Sequence, residues 1–226
     1  MKAACTLLEL VQGLLERTYR IDSGLAEIAP FVIGDAGYRL LYATRPESRS
    51  VDERSGGART LVRETAETVH ARIYFPDSLI QRLEEHPPQR GLSETNVAEF
   101  ATFVEEVDHL LLIAERARWN RPVSLFELEL HANVSIELLL ARFLAGGGRR
   151  IDPARRAWLR LRLFGEEPGR AEVPPVRARY RDAARYAVRL LDALPELPGD
   201  RRLDVLRRFH SADCARKLEM IERGPD

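Results

Sequence analysis

The change in hydrophobic period at Pro76 constrains the fold of this chain most strongly. In the segment before it, Val69, Ala71, Ile73 and Phe75 alternate with polar residues, which is typical of a strand with one buried face. From residue 93 onward, apolar residues recur every three or four positions, which is the period of an α-helix. The sequence therefore predicts an α+β protein, in which a mainly helical body carries a small three-stranded antiparallel sheet in the N-terminal third.

One helix and three strands are predicted before Pro76. The helix covers residues 4–19, and the strands cover residues 28–33, 38–44 and 69–75. Residues 34–37, Gly-Asp-Ala-Gly, suit a tight hairpin turn between the first two strands, because glycine tolerates a positive φ. Residues 45–59 hold almost no large apolar side chain, so we expect them to form a mobile loop.

A helical hairpin is predicted after residue 93. Asn96 with Glu99, and Ser124 with Glu127, have the spacing of a capping box at the start of each helix. The short connection between the helices favours an antiparallel pair. Residues 126–137 alternate apolar and polar side chains strictly, so a strand remains an alternative there. We prefer a helix, because Leu, Glu and Ala dominate this segment.

Three further helices are predicted in the C-terminal third. They begin near Asp152-Pro153, Val176 and Asp200, and the last is expected to break near Ser211. We therefore divide the chain into an α+β domain over residues 1–148, with the first helix, the sheet and the hairpin, and an Arg-rich helical part over residues 149–226 that packs on it.

Composition and charge exclude several classes of protein. The 226 residues are 45% hydrophobic, and 35 basic residues balance 35 acidic ones. This composition is that of a soluble globular protein and argues against a strongly basic nucleic-acid-binding protein. No apolar run approaches the ~18 residues that cross a bilayer, so no membrane partner is expected. Residues 149–226 carry a net charge of +6 and residues 1–148 a net charge of −6.

The arginine and cysteine contents say less about the function. All but two of the basic residues are arginine, so a single arginine is poor support for phosphate recognition. The cysteines, Cys5 and Cys214, form no CxxC pair and no disulfide framework, which is typical of a reducing cytoplasm. The sequence is compatible with a protein partner or with a homo-oligomer.

The candidate site is a set of carboxylates and imidazoles on the helical hairpin. Glu106 and His109 are three residues apart, and Glu127 and His131 are four apart, so each pair shares a helix face. In an antiparallel pair, residue 118 − k faces roughly residue 124 + k, which places the two histidines nearly level. Glu106, His109, Glu127 and His131 are therefore the predicted metal ligands.

This chemistry suggests the function. Carboxylate and imidazole side chains that project inward from helices hold divalent metals, so iron, manganese or zinc is the expected cofactor. Our hypothesis is a buried Glu/His cluster that binds a divalent metal or performs acid–base chemistry. The alternative is a non-catalytic interaction module or scaffold that uses the Arg-rich C-terminal helices. No motif identifies a substrate or a reaction.

Overall fold

A computed structural model shows the fold of this protein and describes residues 6–42, 57–65, 68–146, 151–165 and 174–224. The described strands are β1 (Val32–Ile33), β2 (Arg59–Glu64) and β3 (Val69–Tyr74). The described α-helices are α1 (Leu7–Tyr19), α2 (Asp35–Tyr42), α3 (Asp77–Glu85), α4 (Val97–Arg118), α5 (Leu125–Leu144), α6 (Pro153–Phe164), α7 (Pro174–Ala193), α8 (Gly199–Ser211) and α9 (Cys214–Arg223). The predicted α+β class with a mainly helical body is confirmed.

The sheet has three strands in the order β1-β3-β2. β2 runs antiparallel to β3, with Thr60 opposite Ile73, whereas the two-residue β1 runs parallel to β3, with Val32 opposite Ile73. The prediction of three strands is confirmed, but the sheet is mixed and not purely antiparallel.

The strand predicted over residues 38–44 is wrong, because this segment as far as Tyr42 belongs to helix α2. Contacts distant in sequence hold the helix in place. The hydroxyl of Tyr74 donates to Asp35 at 2.7 Å, and the backbone N–H of Asp35 donates to Asp77 Oδ1 at 3.1 Å. Tyr38 also stacks on Tyr74, with ring centroids 4.4 Å apart. These partners lie in β3 and α3, so the local period could not reveal them.

Strand β2 was not predicted. It begins at Arg59, the last residue of the segment predicted as a loop. Thr60 and Leu61 of this strand are both buried, and Val62 is half-buried, so its burial does not alternate. The lack of alternation explains why the strand was missed. The remainder of the predicted mobile loop falls on residues 45–58, and residues 43–56 lie outside the described residues.

Helices α4 and α5 form the predicted antiparallel hairpin at the centre of the molecule. Residues 126–137 are helical, so the strand alternative is wrong. Ser124 caps α5, and its Oγ accepts the backbone N–H of Glu127 at 3.1 Å. The capping box predicted at Asn96 is wrong, because the side-chain amide of Asn96 donates instead to the backbone carbonyls of His86 and Gly91.

The packing around the hairpin explains why so many of its polar residues are buried. α1 and the sheet contact α4, and α6 and α7 contact α5, while α8 contacts α1. Hydrophobic residues from all these elements form one large core. The predicted break near Ser211 is confirmed, since α8 ends there and α9 begins at Cys214. Among the described residues, none of the helices combines the length and the apolar character that a membrane span needs.

Candidate metal centre and the adjacent histidine network

The polar side chains buried in the hairpin face two different directions. Consecutive residues of an α-helix point about 100° apart, so Asp108 and His109 of α4 cannot serve the same site. On α5, Glu129 and His131 differ in direction by about 200° for the same reason. The structure accordingly shows one group of polar side chains around His109 and another around His131.

The His109 group joins α4 to α5. Ligand atoms of Glu105, His109 and Glu129 all lie within 4.8 Å of one another. His109 is fully buried, Glu129 is 1% exposed, and Glu105 is half-buried at the edge of the group. Two carboxylates and one imidazole therefore lie close together, and Glu105 is the most exposed of the three residues.

His109 has no hydrogen-bond partner at either ring nitrogen among the described residues. The nearest carboxylate oxygen on its own helix, Glu106 Oε2, is 3.8 Å from Nδ1, which is too long for a hydrogen bond. Glu106 is instead held by Thr60 of β2, whose hydroxyl donates to Oε2 at 2.6 Å. Buried polar side chains are usually hydrogen-bonded, so the two ring nitrogens of His109 call for an explanation.

The electrostatic surroundings of His109 are strongly negative. Burial alone would lower the pKa of His109. Three nearby carboxylates outweigh burial and raise the pKa to about 10; they belong to Glu106, Glu129 and Glu105. The same potential that retains a proton on this imidazole would attract a metal cation to the group.

The His131 group forms a continuous chain of hydrogen bonds through the protein interior. Asp108 accepts from the Ser135 hydroxyl at 2.7 Å and lies 2.8 Å from His131 Nδ1. His131 Nε2 lies 3.0 Å from Nδ1 of His210 in α8, and His210 Nε2 lies 2.6 Å from Glu115 Oε2. The chain thus links α4 and α5 to α8.

Both ends of this chain are also anchored. Tyr19 of α1 lies 2.9 Å from Ser135 Oγ, and its ring packs against His131 with centroids 4.5 Å apart. At the other end, Glu115 Oε1 accepts the backbone N–H of Asp22 at 2.8 Å. Since Asp108, His131 and Ser135 are fully buried, each polar atom there needs the partner that the chain supplies.

The contacts limit how protons can be arranged along this chain. Three links connect Asp108, His131, His210 and Glu115. Each neutral imidazole carries one N–H donor and one acceptor nitrogen, so the donor at each link depends on which ring nitrogen holds the proton.

The pKa directions favour a neutral His131 beside an ionised Asp108. Burial lowers the pKa of His131 to about 4, despite the opposing effect of Asp108. Burial would raise the pKa of Asp108, but the contact with His131 and the hydrogen bond from Ser135 outweigh it and lower that pKa. A neutral His131 that donates from Nδ1 to an ionised Asp108 fits both directions.

A third buried group holds Glu127. Its Oε1 accepts from Arg116 at 2.9 Å and from Lys217 of α9. Lys217 is fully buried, and burial lowers its pKa despite the opposing effect of Glu127. Arg116 also donates to the backbone carbonyls of His210 and Ala212. Glu127 therefore joins α5 to α9 and to the end of α8.

The four predicted ligands thus fall into three sets of contacts. His109 has Glu106 on its own helix and lies with Glu105 and Glu129, whereas Glu127 contacts Arg116 and Lys217. His131 contacts Asp108 and His210. The Glu/His group within mutual reach shares only His109 with the predicted set, and metal binding by Glu106, His109, Glu127 and His131 together stays a prediction.

Sequence reasoning did not select several residues that the structure brings to these groups, among them Asp108, Glu129 and His210. The register rule did not single out Asp108, since it fits a pairing of residues 109 and 131 slightly better than one of residues 108 and 131. His210 could not be found in this way, because it lies 79 residues from His131.

No protein-family model, no curated protein and no solved structure matches the chain.

Proposed function

We propose that this protein binds a divalent metal ion through Glu105, His109 and Glu129. The observation that carries the proposal is the state of His109, a buried imidazole whose two nitrogens lack hydrogen-bond partners among the described residues and which lies within 4.8 Å of two carboxylates. A metal would supply the missing partner for one nitrogen and would neutralise the negative potential around the ring.

The ligand types indicate which ions suit the group. One imidazole and two carboxylates form a mixed nitrogen and oxygen set, which manganese, iron and zinc accept. Three protein ligands leave coordination positions open for water or a substrate. Glu106 lies next to the group without belonging to it, and its hydrogen bond from Thr60 holds the neighbouring turn of α4 against the sheet.

A thermal unfolding experiment tests the proposal. The purified chain is stripped with a chelator, and its melting temperature is measured with and without Mn²⁺ or Zn²⁺. Binding to the folded state alone raises the melting temperature. We expect the increase in the wild type and in His86→Gln, whose side chain is exposed, and no increase in Glu105→Gln. Glu105 is the safest ligand to change, because it is only half-buried. No metal-dependent shift in the wild type would reject the proposal.

Acid–base chemistry is a second candidate, and the chain from Tyr19 to Glu115 favours it. This chain connects two carboxylates through two imidazoles, and one of these, His210, is 3% exposed and lines a surface cleft. A test uses p-nitrophenyl esters of acetate and phosphate over a range of pH. Turnover that survives in His86→Gln and is lost in His210→Gln would support this candidate, and no turnover by the wild type would remove it.

The interaction-module alternative depends on the arginines of α7. Arg185 forms an ion pair with Asp182 at 3.4 Å, and Arg189 donates to the backbone carbonyl of Glu222 in α9. These contacts give two of the arginines a structural role. A docking surface for a protein on this helix stays a prediction.

A further inference from the structure

A cleft rich in arginine lies where α1, α4 and α8 end. Its volume is about 450 Å³, which is within the range of small-molecule sites. Its walls combine a tyrosine, a tryptophan and a histidine with a set of arginines. The arginines are Arg20, Arg116, Arg121, Arg207 and Arg208.

The charge of this cleft is strongly unbalanced. Glu115 is the one carboxylate among the lining residues, and it already accepts from His210 and from the backbone N–H of Asp22. Five arginines thus line a cleft with one committed carboxylate, and of these Arg116 is already paired with Glu127 from behind the wall. Such a concentration of one charge attracts an ion of the opposite sign.

Stabilisation of helix ends explains only part of this set. Cations near helix C-termini interact favourably with the exposed carbonyl groups, and Arg116 does so at the end of α8. Arg20 and Arg121, in contrast, make no side-chain hydrogen bond or ion pair with any described residue. The nearest carboxylate of Arg207 is Asp204, at 3.9 Å.

Buried donors in the wall lack acceptors. The Nε atoms of Arg116 and Arg207 are both buried and have no hydrogen-bond partner within the described part of the chain. The side chain of Arg116 is only 5% exposed, so water does not readily replace the missing acceptor. A ligand in the cleft would engage the accessible terminal nitrogens of the lining arginines, which are the outer atoms of the same guanidinium groups.

A phosphate group fits these requirements better than a carboxylate. The planar guanidinium forks of arginine match the oxygens of phosphate, and a dianion with several acceptors can engage more than one fork. Trp119, which is 56% exposed, forms part of the same wall and offers a flat apolar surface to the rest of a ligand.

We propose that the cleft between α1, α4 and α8 binds the phosphate group of a small phosphomonoester, with Arg20, Arg121 and Arg207 as its principal donors. The site requires neither a metal at His109 nor turnover at His210. Its failure in the test below would therefore leave the metal proposal untouched.

Equilibrium dialysis of the full chain tests this inference. The labelled probes are inorganic phosphate, a sugar phosphate and adenosine monophosphate, with adenosine as the control without phosphate. We expect saturable binding of the phosphomonoesters at one site per chain and none of adenosine. Binding of inorganic phosphate without binding of the phosphomonoesters would show a site for the free ion and would overturn the proposal of a phosphomonoester site. Tight binding of a single-stranded oligonucleotide, without binding of the small probes, would also overturn it.

Two variants with equal loss of charge locate the site. Arg207→Gln removes a donor from the cleft, and Arg72→Gln removes an exposed arginine from the sheet. Loss of a charged hydrogen bond weakens binding by about tenfold or more, so we expect that change in Arg207→Gln and none in Arg72→Gln. Trp158→Phe leaves Trp119 as the only tryptophan, and its fluorescence should change as the phosphomonoester binds. Equal weakening in both arginine variants would contradict the proposal.

Discussion

Nε2 of His131 lies 3.0 Å from Nδ1 of His210, although the two residues are separated by 79 positions in the sequence. The contact joins α5 to α8 and connects Asp108 to Glu115. A fully buried carboxylate is thereby linked, through two imidazoles, to the wall of a surface cleft. Most of the predictions below follow from the way these buried charges compensate one another.

Replacement of His131 tests the cost of breaking the network. His131→Leu leaves the buried Asp108 with Ser135 as its remaining side-chain donor and leaves His210 Nδ1 without its partner. We expect a loss of about 3–5 kcal/mol in the free energy of unfolding, measured by urea denaturation. The exposed His86 provides the control, since His86→Leu should change stability by no more than about 0.5 kcal/mol.

A double-mutant cycle separates the energy of the contact between Asp108 and His131 from the cost of changing each buried side chain by itself. We expect the losses of stability in Asp108→Asn and His131→Leu to differ from additivity by about 1 kcal/mol or more. The reason is that either change alone already removes the contact between the two side chains. Additive effects would show that the 2.8 Å contact between Asp108 and His131 contributes little to stability.

Acid should destabilise the protein in part through Glu115. Burial would raise the pKa of Glu115, but its hydrogen bonds from His210 and from the Asp22 N–H outweigh burial and lower the pKa below the ordinary 4.5. A carboxyl whose pKa is lowered by folding stabilises the folded state above its ordinary pKa. That contribution is lost as the pH falls through the lowered value.

The measurement is the melting temperature between about pH 6 and pH 3. We expect the wild type and Glu64→Gln, a change at an exposed strand residue, to lose stability over this range. Glu115→Gln should start from a lower melting temperature and lose less of it on acidification. An identical pH profile in Glu115→Gln and the wild type would contradict this assignment.

The ion pairs of Glu127 predict an order of stability for two variants. Glu127→Leu leaves Arg116 and Lys217 as buried cations without their shared carboxylate, so we expect a loss of about 3–5 kcal/mol. Lys217→Met removes a buried ammonium group but leaves Glu127 paired with Arg116. We therefore expect a loss less than half as large, measured by chemical denaturation, and the reverse order would be inconsistent with the contacts.

The two helix starts of the hairpin should respond differently to alanine. Ser124→Ala removes one capping hydrogen bond and should cost about 1 kcal/mol. Asn96→Ala should cost more, because the buried Asn96 side chain holds the backbone at His86, Gly91 and Ser93. Chemical denaturation of both variants gives the comparison, and a smaller loss in Asn96→Ala would contradict the structure.

The sequence was sufficient for those parts of the fold that local periodicity determines. α4, α5 and the break after Ser211 follow from apolar spacing, capping residues and short connections. α2 did not follow, because Asp35 and Tyr38 are held by Tyr74 and Asp77, which are distant in sequence. β2 was missed because two consecutive residues, Thr60 and Leu61, are both buried.

The candidate site was predictable only in outline. Helical spacing and the antiparallel register correctly indicated that polar side chains would meet between α4 and α5. The rule could not show that Asp108 and not His109 faces His131, since a difference of one residue rotates a side chain by about 100°. His210 and Lys217 come from α8 and α9, whose placement depends on tertiary packing that the sequence does not display.

The metal content of the purified chain tests the central claim most directly. After saturation with Mn²⁺ or Zn²⁺ and dialysis against metal-free buffer, elemental analysis should find about one ion per chain in the wild type and in Glu64→Gln, a change at an exposed strand residue. Glu105→Gln and Glu129→Gln, which alter the group around His109, should each retain much less. Failure of the wild type to retain metal, or equal retention by all four proteins, would contradict a metal centre at Glu105, His109 and Glu129.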